Sequence, residues 1–175
     1  MPTPEPTTTV NLDQYGDTAI AWSTVAERLD TVADAGRDVF TVLGTVRPDG
    51  RPHAAPIGSL WIDGAWCVVT GPNTQKGRNL AHDPVCTLTA RLDGIDVVFD
   101  GRADRVTDRA ELERVAEVYR GVGWPAEVAG DAFTAPFTAP SGGPPPWSLY
   151  RIATTSAVGV GSGGGVSGAT KWTFA

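Results

Sequence analysis

The sequence predicts a mainly β protein, an antiparallel β-barrel with helices attached to it. Short runs rich in β-branched and aromatic residues recur along the chain, which is typical of strands. The dipeptides Asp63-Gly64 and Asp93-Gly94 separate two pairs of these runs, and Asp-Gly favours the tight turn of an antiparallel hairpin. Two longer segments instead show the apolar spacing and the capping residues of helices.

Length, charge and cysteine content limit the class of protein. A chain of 175 residues suits one domain, and its net charge of -6 argues against a nucleic-acid partner. No apolar run approaches the roughly 18 residues of a membrane span, and the N-terminus lacks the apolar core of a signal peptide. Cys67 and Cys86 lie in strand patterns and are expected to be free, buried thiols, so we expect a cytoplasmic protein.

The domain is expected to begin near residue 21. Residues 1–20 are mostly Pro/Thr-rich and poor in apolar side chains, so they predict a disordered or loosely docked tail, and residues 21–175 predict a single domain. A helix follows from Trp22, with Thr24 and Glu27 spaced as a capping box and Gly36 at its end.

The strands follow in order. The predicted strands are 39–46, 51–62, 65–70, 85–92, 95–106, 148–160 and 169–174. Pro52 and Pro56 interrupt the second strand, which indicates an edge, a bulge or a backbone that serves a ligand. Asp100-Gly101 predicts a bulge or bend in the 95–106 strand. Asp108 and Glu111 predict the cap of a helix that ends at Arg120.

Residues 121–147 differ from the rest of the chain. Gly, Pro and Ala dominate, yet Trp124, Phe133, Phe137 and Trp147 recur. Because a flexible linker does not carry so many aromatic residues, we expect a loop that covers the barrel or a partner subunit, with 125–147 as its Pro/Gly-rich part.

The stretch from Cys67 to Pro84 has the strongest functional pattern. An apolar strand ends in Gly71-Pro72-Asn73, and Thr74 then caps a short helix with Lys76 in its first turn. Helix N-termini with a nearby cation favour phosphate. The alternative is a surface loop with a solvated lysine. The chain has only two lysines, Lys76 and Lys171, which makes the position of Lys76 more notable.

Three quoted segments together resemble a known family. They are TVRPDGRPHAAPIGSLWIDG, VVTGPNTQKGRNLAHDPVCTL and the final GATKWTF. This order resembles the pyridoxamine 5'-phosphate oxidase-like flavin-binding split barrels, and within them the flavin/deazaflavin oxidoreductases. The resemblance covers residues 22–175 apart from 125–147. It implies a six-stranded antiparallel split barrel and a homodimer with cofactor sites between the subunits.

The resemblance also implies site residues. Phosphate contacts are expected from Thr70, Gln75 and Lys76, and the second-strand residues would lie along the cofactor ring. The full set implied for cofactor binding is His53, Ala55, Pro56, Ile57, Val69, Thr70, Gln75, Lys76, Asn79, Lys171 and Trp172. Asn79 is expected to fix the loop more than to touch ligand. Trp61 and Trp147, with the aromatic loop, are expected to form the substrate wall.

The sequence departs from the family pattern at two places, one of which bears on the activity and the other on a cofactor contact. Gln75-Lys76 stands where the vitamin B6 oxidases carry Arg-Lys, and their substrate-phosphate residues have no counterpart, so that activity is not expected. Lys171-Trp172 replaces the usual Arg-Trp, which keeps the charge but loses the planar guanidinium.

The expected function is hydride transfer between bound F420 or FMN and a small organic substrate. The cofactor would carry the chemistry, so no catalytic side chain is assigned, and no Cys/His spacing indicates a metal. The choice between F420 and FMN stays open; Arg51, Arg78 or Lys171 could line a groove for the polyglutamate tail of F420. The alternative is a non-enzymatic carrier or sensor. A haem-degrading relative ranks low because His53 is the only candidate axial ligand.

Overall fold

A computed structural model describes residues 3–35 and 39–175 as a curved antiparallel sheet with three helices. The helices are α1 (Trp22–Ala35), α2 (Gln75–His82) and α3 (Arg109–Gly121). The strands are β1 (Thr8–Asn11), β2 (Thr41–Val46), β3 (Pro52–Pro56), β4 (Ser59–Ile62), β5 (Ala65–Thr70), β6 (Val85–Leu92), β7 (Ile95–Arg105), β8 (Glu127–Ala129), β9 (Ala132–Thr134), β10 (Ser148–Gly161) and β11 (Ala169–Thr173).

Nine of these strands form one sheet, and the long strand β10 organises it. The order is β1-β11-β10-β7-β6-β2-β3, and β5 pairs with both β10 and β4. One edge of β10 pairs with β5 over Ser148–Ile152 and then with β11 over Ser156–Val160, while its other edge follows β7. Because two strands share one edge of β10, the sheet divides there. The predicted fold class, a mainly β split barrel with helices, is confirmed.

The barrel has a core on each side of β5. Trp66 and Val68 of β5 point into the main core with Phe99, whereas Cys67 and Val69 pack on the side of α3. Burial on both faces explains why this strand is a continuous apolar run without alternation. Helix α1 closes the main core with its apolar face, formed by residues 22, 25 and 29, and α3 closes the second with residues 112, 115, 116 and 119. Cys67 and Cys86 are buried and free, as predicted.

Two features differ from the predictions near the N-terminus. Residues 8–11 form β1, which pairs with β11, and this strand was not predicted. Helix α1 begins at Trp22, two residues before Thr24, so Thr24 is not its N-cap; the Thr24 amide donates to the Ala21 carbonyl at 3.1 Å. The predicted end of the helix at Gly36 lies outside the described residues.

Two further differences concern the sheet. The predicted strand 51–62 is divided into β3 and β4, because Pro56 ends one strand and the chain turns through Ile57-Gly58. The predicted bulge lies on β10 instead of β7: the pairing shifts between Thr154 and Ser156, opposite Asp100-Gly101. Gly101 is required there, since an added Cβ would stand 2.2 Å from the Ala153 carbonyl oxygen.

The segment 121–147 is ordered against the barrel. It contains a short hairpin of β8 and β9, and Phe133 exchanges two backbone hydrogen bonds with Trp147, at 2.8 and 2.9 Å. None of the helices in the described ranges is long and apolar enough to cross a membrane.

Candidate functional site

A groove of about 700 Å³ lies where several chain segments end together. One wall is the region where β2, β3 and β4 meet, and the floor includes the end of β5 and the start of α2. The opposite wall is the C-terminal end of α3 and residues 137–142 with Trp147. The volume is in the range of sites that hold drug-sized ligands.

The turn between β5 and α2 is held by the side chain of Thr74. Thr74 is the N-cap of α2, and its Oγ1 accepts a hydrogen bond from the Gly77 amide at 3.0 Å, as the sequence predicted. The turn has no room for a larger residue at Gly77, because an added Cβ would stand 2.2 Å from the Gly71 carbonyl oxygen. The helix N-terminus is therefore fixed tightly against the end of β5.

The hydroxyl of Thr70 is already engaged in this turn. Thr74 Oγ1 lies 2.8 Å from the Gly71 carbonyl oxygen, which can only accept, so the single hydroxyl proton of Thr74 is directed there. Thr70 Oγ1 lies 2.8 Å from Thr74 Oγ1 and must then be the donor in that contact. In this arrangement Thr70 presents lone pairs to the groove, and it must reorient in order to donate to an anion.

Lys76 is the charged residue of the groove. Only 9 % of it is exposed, and no described residue forms an ion pair or hydrogen bond with its ammonium group. Burial lowers the pKa of Lys76, because desolvation disfavours the charged form. Buried charges are normally paired. The backbone amides of Gln75 and Lys76 also have no partner within the described ranges, as expected for the first turn of a helix.

Gln75 and Asn79 form a network beside the groove. The Gln75 amide nitrogen donates to Asn79 Oδ1 at 2.7 Å, and its oxygen accepts from Arg78 at 3.0 Å. Asn79 is fully buried and donates to Thr45 Oγ1 at 2.8 Å. Both polar atoms of Gln75 are occupied, and Asn79 ties α2 to β2, so these residues support the turn.

His53 lies at the far end of this network. Its Nδ1 is 3.4 Å from Thr45 Oγ1, a long contact. Partial burial lowers the pKa of His53 first, and the positive charges of Arg47 and Lys76 lower it further. His53 is therefore neutral near pH 7 and does not line the groove.

The structure brings together some of the residues singled out in the sequence. Those that line the groove are Pro56, Ile57, Val69, Thr70, Lys76 and Trp147. Those that do not line it are His53, Ala55, Trp61, Gln75, Asn79, Lys171 and Trp172.

Two of these tryptophans belong to the core instead. Trp61 is 5 % exposed, and its ring packs 5.2 Å from that of Trp66 between ring centroids. Trp172 is fully buried, and its ring lies 5.3 Å from that of Trp22. Strand alternation directs Trp172 inward and leaves Lys171 exposed on β11. Neither tryptophan can form a wall of this groove, and Lys171 lies outside it.

Several groove residues were not predicted individually. Phe40, Val122, Trp124 and Phe137 line it together with Tyr119, and three of them lie in the aromatic segment 121–147. The repeated aromatic residues of this segment were the sequence signal that could have pointed to these groove residues. Their meeting with Phe40, which precedes β2, depends on the tertiary fold.

A second set of unpredicted contacts fixes the wall where β2, β3 and β4 meet. Thr41 Oγ1 donates to the Ile57 carbonyl at 2.6 Å and lies 2.9 Å from Ser59 Oγ. These contacts join β2 to the β3–β4 connection and hold the backbone at Ile57-Gly58 against the groove. Within residues 3–35 and 39–175, no group of three or more side chains is arranged to bind a metal ion.

The fold and this groove define a split-barrel protein with a largely buried lysine in a ligand-sized cavity. The family model for pyridoxamine 5'-phosphate oxidase matches residues 32–135. The chain therefore belongs to the pyridoxamine 5'-phosphate oxidase family. This agrees with the resemblance carried by the sequence motifs.

Solved structures with low sequence identity share the fold. A conserved hypothetical protein from Mycobacterium tuberculosis is 21 % identical over 82 % of this chain and 86 % of its own, with a TM-score of 0.55. A haem-binding protein from Mycobacterium smegmatis is 18 % identical over 83 % of this chain and 57 % of its own, also with a TM-score of 0.55. A nimC/nimA family protein from Clostridium acetobutylicum is 14 % identical, covers 85 % and 90 %, and has a TM-score of 0.53. No curated protein sequence matches this chain significantly.

Proposed function

We propose that this protein binds a phosphate-bearing flavin-type cofactor, FMN or F420, in the groove and acts as an oxidoreductase on a small organic substrate. Membership of a flavin-binding family whose name describes an oxidase supports the general class. The single observation that carries the proposal is Lys76, a residue only 9 % exposed whose ammonium group has no counter-ion in the described part of the chain.

An anionic ligand group would give the Lys76 ammonium group the counter-ion that it lacks. A partly desolvated ammonium group without a partner is unfavourable, and a phosphate beside it would supply charge-assisted hydrogen bonds. The free amides of Gln75 and Lys76 and the positive end of the α2 dipole act in the same direction. The alternative of a solvated surface lysine is disfavoured, because only 9 % of the residue is exposed.

The groove residues fit such a cofactor. Lys76 and the first turn of α2 would hold the phosphate, with Thr70 as a further donor after its hydroxyl reorients. Pro56 and Ile57 would contact the ring, and Val69 would border it. When bound, the cofactor ring supplies the hydride chemistry, while the chain binds it, orients it and excludes water.

We also propose that the protein is a homodimer and that the second subunit completes this site. Strand β3 is at an edge of the sheet, and all five of its residues are exposed or half-exposed. An unpaired edge with Pro52, Ala54 and Pro56 on its exposed face suits a contact with another copy. His53 and Ala55, which do not line the groove of their own subunit, lie on the other, half-buried face of this strand.

The charges around the groove favour FMN over F420. Arg51 is exposed and paired with Asp49, and Arg78 donates to Gln75 and to the Asn73 carbonyl. Neither they nor Lys171 line the groove. One lysine suits a single phosphate group, whereas a polyglutamate tail benefits from further basic side chains.

An enzymatic role is favoured over a carrier or sensor. A carrier does not need space beside the cofactor ring, and the loop 137–142 could then seal the groove. Here the loop lines one wall and leaves a cavity of about 700 Å³. Haem binding has less support, since the groove lining in the described residues contains no His, Cys or Met side chain, and the hydroxyl of Tyr119 contacts the Cys67 carbonyl at 3.5 Å.

The experiment that tests the proposal is a titration of purified protein with FMN and with F420, followed by flavin fluorescence and visible absorption. Saturable binding of either cofactor, weakened in Lys76→Ala, is expected. If neither cofactor binds to the folded protein, the proposal is wrong. Turnover of the bound cofactor with an organic acceptor would then separate an enzyme from a carrier.

A further inference from the structure

The groove has two chemically different sides. Lys76, Thr70 and Gly71 form a cationic, polar end at the start of α2. The side towards the loop carries no charged residue among the described lining residues, and its larger side chains are Val122, Trp124, Phe137 and Trp147. A ligand placed on that side meets apolar and aromatic surface.

The aromatic rings behind this side are held in place by their own contacts. Trp124 and Trp147 lie 5.7 Å apart between ring centroids, and Trp124 packs edge-on against Tyr119 at 5.1 Å. The Trp124 indole N–H donates to the Phe137 carbonyl at 2.8 Å, and that of Trp147 donates to the Gly143 carbonyl at 3.1 Å. Because both indole N–H groups are satisfied inside the protein, these rings offer a ligand only apolar surface.

Three apolar side chains at the groove remain exposed to water. Phe40 is 62 % exposed, Phe137 58 % and Val122 39 %, and all three line the same cavity. Exposed apolar side chains that gather at one place indicate a binding site. They border a concave cavity instead of a flat face, which suits a small molecule better than the surface of a protein.

We propose that the loop side of the groove is a subsite for an uncharged, planar aromatic substrate, and that Phe137 determines this specificity. The proposal rests on the proposed function in one respect: the substrate is a second molecule, beside a cofactor whose phosphate occupies the Lys76 end. The Trp124 hydrogen bond to the Phe137 carbonyl fixes the backbone that carries the Phe137 ring.

The charge of the substrate follows from the lining. A charged group on the loop side would lose its hydration without meeting an opposite charge, which is unfavourable. A planar ring loses little by leaving water and gains contact with the Phe137 ring. The expected selectivity is therefore for neutral over anionic ligands of the same shape once Lys76 is occupied.

The test uses a matched pair of probes, neutral 2-naphthol and anionic 2-naphthoate, in equilibrium dialysis at pH 7.5. With protein saturated by FMN, 2-naphthol is expected to bind at least about tenfold more tightly than 2-naphthoate. Phe137→Ala is expected to weaken 2-naphthol binding about tenfold, with Phe137→Tyr close to the parent and FMN affinity unchanged. Val160→Ala is the control, since Val160 is 48 % exposed on β10 and does not line the groove.

Equal binding of the two probes, or no effect of Phe137→Ala, would overturn the proposal. So would a change in the monomer–dimer equilibrium of Phe137→Ala in place of a change in affinity, because the loop side would then dock a second copy. Failure of the proposed function is recognised separately, by the absence of FMN and F420 binding. In that case 2-naphthol binding to the cofactor-free protein, with the same dependence on Phe137, still supports the aromatic subsite.

Discussion

Gly71 lies directly against Gly142, so that an added Cβ on Gly71 would stand 2.7 Å from the Gly142 carbonyl oxygen. The same Cβ would be 3.3 Å from the Trp147 ring. The turn that presents Lys76 and the loop that forms the opposite wall are therefore in backbone contact. This relationship places the anion-binding end and the aromatic side of the groove next to each other.

The Gly71–Gly142 contact predicts that Gly71→Ala forces the loop away from the turn. Overpacking of this kind costs about 1–3 kcal/mol of unfolding free energy, which urea denaturation measures. Gly121→Ala, at the end of α3, is the control because nothing lies within 4 Å of its added Cβ. If Gly71→Ala is as stable as the parent, the loop is not packed on the turn.

The buried charge of Lys76 predicts a loss of cofactor binding in Lys76→Ala. The expected weakening is about 1.5–3 kcal/mol, the range for a charge-assisted hydrogen bond, measured by fluorescence titration. Lys76→Met retains the apolar stem, and we expect the cofactor-free protein to remain as stable as the parent, since a desolvated charge is removed.

Lys171→Ala tests the expectation, implied by the family resemblance, that Lys171 contacts the cofactor. Lys171 is exposed on β11 and does not line the groove of its own subunit, so its replacement leaves cofactor affinity unchanged if that groove alone forms the site. A loss as large as that of Lys76→Ala would show that Lys171 reaches the cofactor of the partner subunit.

The hydroxyl arrangement of Thr70 and Thr74 predicts different effects at the two positions. Thr70→Val removes one donor for the phosphate and leaves the bond from the Gly77 amide to Thr74 intact. We expect about 1 kcal/mol weaker cofactor binding, with Thr70→Ser near the parent. Thr74→Val removes the helix cap and should lower the unfolding free energy by about 1 kcal/mol. Equal affinity of Thr70→Val and the parent would remove Thr70 from the site.

The buried thiols predict a loss of stability at alkaline pH. Burial, helped by Asp104 and Asp100, raises the pKa of Cys86 to about 12, and burial raises that of Cys67 to about 11. Above pH 9 the unfolded chain releases these protons while the native state retains them, so the unfolding free energy falls as pH rises. By pH 10 each thiol accounts for roughly 1 kcal/mol of this fall.

Cys86→Ala is expected to reduce that fall. In urea denaturation under reducing conditions, the unfolding free energy of the parent should fall by about 1 kcal/mol more than that of Cys86→Ala between pH 8 and pH 10. Groups such as Lys76, whose lowered pKa acts in the opposite direction, contribute equally to both proteins and cancel in the comparison. If the unfolding free energies of the parent and of Cys86→Ala depend on pH in the same way, the raised pKa of Cys86 is contradicted.

The exposed edge strand β3 predicts a dimer in solution. Size-exclusion chromatography with light scattering should give twice the monomer mass. Ala54→Glu places a charge on the exposed face of β3 and is expected to shift the protein towards monomer. Thr9→Glu, on the exposed edge strand β1, is the matched control. A monomeric parent protein would contradict the shared site.

Much of the fold was predictable because its signals are local. The strand bounds 65–70 and 85–92 and the Thr74 cap followed from residue type and spacing, and the structure has them at those positions. The strand β1 was not predictable in this way, since its four residues are all exposed and its stability comes from pairing with β11.

The candidate site was predictable only in part. Lys76 was predicted from the capped turn and Thr70 from the family resemblance, and both line the groove. The family resemblance placed Trp172 at the site, and the expected mechanism placed Trp61 in the substrate wall. The structure buries both in the core, where Trp172 packs against Trp22 and Trp61 packs against Trp66. Sequence spacing identifies an aromatic residue but not the side of a closed barrel to which its ring points.

The sequence by itself determined the antiparallel barrel, the cap of α2 and the position of a cation at that cap, because each depends on neighbours within a few residues. Only the tertiary structure decided that Lys76 has no counter-ion in the described chain and that Gly142 and Phe137 face it across a groove. The physical reason is that burial and missing partners are properties of space around a side chain. They are set by segments about seventy residues apart in the chain, here the turn at Gly71 and the loop at Gly142.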